Sequence, residues 1–145
     1  MTRPTILKAL YLGVVSGILL GLLLKLIESI TTVRVYTLLL NIDFIPIIGG
    51  IAWGETVEFI FHVLVSIVIA FIFVYLVIRL RIEKSFTKLL FLSFILCLPT
   101  FFLYFLLSSL AIKEVPAWND WLAFTYWSVA HLFYVWVLPV LYKKM

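Results

Sequence analysis

Hydrophobic residues in this chain run in four long blocks, and polar residues fall between the blocks or in thin stripes within them. The first block, residues 7–30, is broken only by Lys8, Lys25 and Glu28. The second, residues 56–80, is interrupted by Glu58 and His62, and the third, residues 89–112, carries no charge. The fourth, residues 118–142, holds Asp120 near its start and His131 near its middle. Each block supplies the roughly 20 apolar residues that a helix needs to cross a hydrocarbon layer of about 30 Å. The short alternating strands of a membrane β-barrel are not seen. The pattern predicts an all-α, polytopic membrane protein: one domain over residues 1–145 with four transmembrane helices.

The stripes within the blocks matter more than their length. At about 100° per residue, Glu55, Glu58, His62 and Ser66 share an arc of roughly 80° on the second helix. Ser93, Cys97, Thr100, Tyr104 and Ser108 do the same on the third, and Asp120, Trp127, His131 and Tyr134 share roughly 60° on the fourth. Lys25 and Glu28 lie on the Gly21 side of the first. Four such stripes are satisfied together only by converging, so a polar interior is expected. Gly13, Gly17 and Gly21, one every fourth position, predict a seam for close helix packing, against this chain or another.

The connections are unequal. Residues 31–54 are long for a loop yet apolar, which predicts a segment lying along the interface or folded back over the bundle mouth. The basic residues are unequal too. Arg3, Lys8, Arg79, Arg81, Lys84, Lys88, Lys143 and Lys144 fall at one end, against Arg34 and Lys113 at the other. By the positive-inside rule both termini are expected in the cytoplasm. The first block is too long for a cleaved signal peptide and lacks a small-x-small site, so a retained helix is expected.

Composition removes the remaining classes. The chain is 66% hydrophobic and 12% charged, about half the charge of an ordinary soluble surface. A single cysteine, Cys97, excludes a disulfide framework. The net charge of +4 is largely juxtamembrane, so anionic lipid headgroups are the expected partner and nucleic acid is not.

Ionisable residues inside a bilayer are costly, and they mark working sites unless they are paired. Lys25 and Glu28, at (i, i+3), either neutralise one another or belong to the site, and Glu55 and Asp120 are expected to be interfacial residues or helix N-terminal acids. Glu58, His62 and His131 form the expected working trio, in a funnel that opens at the end opposite the termini.

The Gly-rich first helix with Lys25, Glu28 and then Arg34, the run His62-Val63-Leu64-Val65-Ser66-Ile67-Val68-Ile69-Ala70, and His131-Leu132 followed by aromatics together carry a resemblance. The chain resembles the YagU-like family of bacterial inner-membrane proteins over helices one, two and four. The third helix matches in hydropathy alone, and Thr32 and Val33 stand where prolines are usual before the arginine. The resemblance implies a four-helix protein of the bacterial inner membrane and positions for a site, without a mechanism.

The expected function is an outward-facing titratable site: proton or small-ion handling, acid response, or proton-linked transport of a small solute. Lys25, Glu28, Arg34, Glu58, His62, Trp127 and His131 would carry it, with no resident cofactor. Two alternatives stay open. One is a metal-dependent enzyme acting on a lipid, with zinc on Glu58, His62 and His131, or in a lesser variant a bis-histidine haem. The other is a structural subunit or homo-oligomer joined through the glycine seam.

Overall fold

The computed structural model describes residues 3–43, 45–47 and 49–145, so Phe44 and Ile48 of the long apolar connection lie outside the described residues. The described residues form helices and no strand: α1 (Arg3–Thr31), α2 (Val35–Leu39), α3 (Glu55–Leu80), α4 (Phe86–Leu110) and α5 (Trp121–Lys144). All but α2 are long and apolar enough to cross a membrane. They run up and down, so both termini and the α3–α4 turn share one end. The connections 32–54 and 111–120 share the other, called here the far end.

The glycine seam is what seats α1. A methyl group added at Gly13 would strike the Ile67 backbone, one at Gly17 would stand 2.8 Å from Ser66 Cβ, and one at Gly21 would strike the Phe59 ring. All three neighbours belong to α3. The seam that a second chain would have used is therefore filled from within this chain, because the two backbones approach too closely for any side chain between them. α1 also packs on α5, and α5 on α4, whereas α3 and α4 make little direct contact.

Hydroxyl groups tie the same three helices. Ser66 donates to the Gly13 carbonyl at 2.8 Å, which spends its only proton. The 3.0 Å contact between Ser66 and Tyr134 is therefore a bond that Tyr134 donates. The chain of bonds runs from α5 through α3 to α1, in an interior where a lost partner is expensive.

Each helix end has a local cause. Asp120 accepts from Ala123 N at 3.0 Å and Ser85 accepts from Lys88 N at 3.4 Å, closing the first turns of α5 and α4. Thr32 and Arg81 follow α1 and α3 in the left-handed region, at φ 63° and 54°, where glycine is usual. At the terminal end Lys8 stands 3.8 Å over the Tyr142 ring, and Lys143 donates to the Lys84 carbonyl.

The connection 32–54 folds back over the far end of the bundle. Val35, Leu38, Leu40, Asn41 and Ile42 are buried in it. Asn41 Nδ2 donates to the Leu107 carbonyl at 3.0 Å, and Asp43 accepts from the amides of Ile112 and Lys113. Side chains of the first connection thus satisfy backbone groups near the end of α4 and at the start of the second connection.

Candidate functional site

The polar stripes meet in a cavity of about 170 Å³ in the far half of the bundle, between α3, α4 and α5 and beneath Leu39, Asn41, Ile42 and Ile45. Glu58, His62, Trp127 and His131 all line it, as do Ser66, Cys97, Thr100 and Tyr134. Most of the remaining wall is apolar.

The two histidines are oriented by backbone carbonyls. His62 Nε2 lies 3.0 Å from the Gly17 carbonyl, and His131 Nδ1 lies 2.8 Å from the Trp127 carbonyl of its own helix. A carbonyl only accepts, so each of these nitrogens carries a proton. That leaves His62 Nδ1 and His131 Nε2 as bare acceptors in the neutral rings, with no hydrogen-bond partner among the described residues. His131 is 3% exposed. Its ring lies against the Trp127 indole, centroids 4.3 Å apart at 34°. The indole is itself fixed by donating Nε1–H to the Thr100 carbonyl at 2.9 Å.

Glu58 is buried and ion-paired with Lys113, which reaches over from the α4–α5 connection. Hydropathy placed Lys113 among loop charges, and only the fold-back of that loop brings it to Glu58. Asn41, which helps to roof the cavity, was hidden in the same way inside an apolar run.

Three expected site residues stand outside the cavity. Lys25 pairs with Glu55 at 2.6 Å and not with Glu28. The (i, i+3) neutralisation fails because both residues have better partners on other elements. Glu28 instead accepts from Tyr36 N, Thr37 N and Thr37 Oγ1, at 2.7, 2.9 and 2.8 Å, and so caps α2 from α1. Arg34 pairs with Glu114 at 2.8 Å on the exposed surface. Tyr36 donates to Glu55 at 2.9 Å. Burial first, and then that bond, raises the Tyr36 phenol well above its ordinary 10.0. Together these contacts make a polar rim around the far end.

A zinc site of the type considered above needs three donors around one point. Among the described residues no three His, Cys, Asp or Glu side chains come together in that way. Each histidine keeps one nitrogen unbonded, while Glu58 is held by Lys113.

Comparison of the chain with protein-family models, with curated proteins and with solved structures gives no match.

Proposed function

We propose that this is a four-span protein of the bacterial cytoplasmic membrane, akin to the YagU-like proteins, with both termini inside. In this reading His62 and His131 take up and pass protons that arrive from the outer side, in an acid response or in proton-linked movement of a small solute. One observation carries it. Two imidazoles, each with one nitrogen locked to a carbonyl and the other unbonded, line one cavity.

The two nitrogens of an imidazole let a proton enter at one while the other stays bonded. When His131 Nε2 is protonated, the Trp127 ring beside it supports the cation. Glu58, Cys97 and Tyr134 are the other titratable groups among the described cavity-lining residues, and Lys113 holds Glu58. The orientation is supported by the charge split: eight basic residues at the terminal end are offset there only by Glu83.

The test is proton flux into liposomes containing the purified protein, under an imposed pH gradient. His131→Gln and His62→Gln should each lower the flux about tenfold or shift its pH midpoint. Flux equal to that of protein-free liposomes, or unchanged in the double variant, overturns the reading. A reporter after Lys144 that is active only outside the cell overturns the orientation.

A further inference from the structure

The cavity has features that proton handling alone leaves unused. Its wall is mostly apolar, and it extends to the seam where α3 and α4 make little contact. Val65 lines the cavity and is nevertheless 57% exposed on the outer surface of α3, so the space reaches the lipid-facing side there. Phe61 of α3 and Leu103 of α4, both apolar, also line it. An opening bordered by such side chains faces acyl chains and not water.

The polar part is narrower in what it accepts. The protons of His62 Nε2 and His131 Nδ1 are already given to Gly17 and Trp127, so the neutral rings present lone pairs only. A group resting on them has to donate. Lys113, which reaches the cavity-lining Glu58, is paired with it, and an unpaired charge in an apolar chamber would be strongly disfavoured. The volume, about 170 Å³, is on the scale of an apolar cavity of about 150 Å³ that holds benzene.

We propose that this cavity binds a neutral, hydroxyl-bearing amphiphile, its ring-sized head donating its hydroxyl proton to His131 and its tail leaving between α3 and α4 into the bilayer. Binding of this kind is measured without any proton flux. The two readings are tested by different measurements and fail separately.

The experiment uses the full chain in phosphatidylcholine nanodiscs at a fixed pH near 7.5 and a para-alkylphenol with a photoreactive diazirine in its tail. Labelled positions are mapped by mass spectrometry. Labelling is expected on the peptides carrying Val65 and Leu103. para-Octylphenol should displace it at about tenfold lower concentration than octylbenzene or para-octylbenzoate, the discrimination that one buried hydrogen bond supplies. His131→Leu should shrink that difference to below about threefold, because the acceptor is gone while the apolar wall remains. Val65→Trp, at a position 57% exposed, should block the opening and lower labelling about fivefold. It decides the matter even if the histidine variant fails to fold. Equal displacement by octylbenzene, stronger displacement by octylbenzoate, or labelling indifferent to Val65→Trp each overturns the proposal.

Discussion

His62 donates its Nε2 proton to the carbonyl of Gly17 at 3.0 Å, across the seam where α1 and α3 touch backbone to side chain. The contact makes Gly17 serve packing and site together. Gly17→Ala would put a methyl 2.8 Å from Ser66 Cβ, closer than real contacts allow, and would separate the helices. We expect a loss of about 1–3 kcal/mol in unfolding by denaturing detergent. Gly50→Ala, where an added methyl meets nothing within 4 Å, should change little. Equal stability of the two variants would refute the seam.

Thr32 holds φ 63° at the end of α1, a conformation that a β-branched residue adopts only under strain. Its side chain is exposed, and its hydroxyl bonds only to the Thr31 carbonyl beside it. Thr32→Gly is therefore expected to stabilise the protein by about 0.5–1 kcal/mol, the relief of the left-handed penalty less the added freedom of the unfolded chain. A melting temperature that falls would show that the hydroxyl matters more than the backbone.

The spans and the meeting of the stripes could be read from the sequence because both follow from period and length alone. His62, Trp127 and His131 each lie on the polar arc of their own helix, and a bilayer leaves such arcs only each other. Partner choice was not legible. Lys25 goes to Glu55 across α1 and α3, Glu28 to the amides of α2, and Lys113 to Glu58, the last two contacts fixed by how residues 32–54 and 111–120 fold over the bundle. No hydrophobic period records that fold, since those segments carry short-range turns and buried side chains in irregular order. Asn41, buried and bonded to Leu107, shows the difficulty: in sequence it is one polar residue in an apolar run.

Tyr36 links the cap to the rim. Its phenol pKa is raised on folding, so the neutral form is favoured in the folded state. That contribution is fully present below the unfolded value of 10.0 and is lost as pH rises through the higher folded value. Ionisation of Tyr36, read as the difference in phenolate absorbance between wild type and Tyr36→Phe, should therefore begin later on titration of folded protein than of denatured protein. Coincident curves would mean that the hydroxyl is freely solvated and does not bond Glu55.

The Glu58–Lys113 pair closes the cavity on its far side, and its two members are unequally buried, at 7% and 32% side-chain exposure. That asymmetry fixes the order of the variants. Lys113→Met leaves a carboxylate inside without a partner and should cost about 2 kcal/mol, below the 3–5 expected of a fully buried pair because Lys113 retains some contact with water. Glu58→Gln leaves only a partly exposed ammonium, which can turn outward, and should cost less. The double variant Glu58→Gln with Lys113→Met removes both charges and should be more stable than Lys113→Met alone. A double-mutant cycle measured by denaturing-detergent unfolding gives the coupling directly. If the two changes add without coupling, the pair does not hold the roof, and the loop is fixed instead by Asp43 on the amides of Ile112 and Lys113.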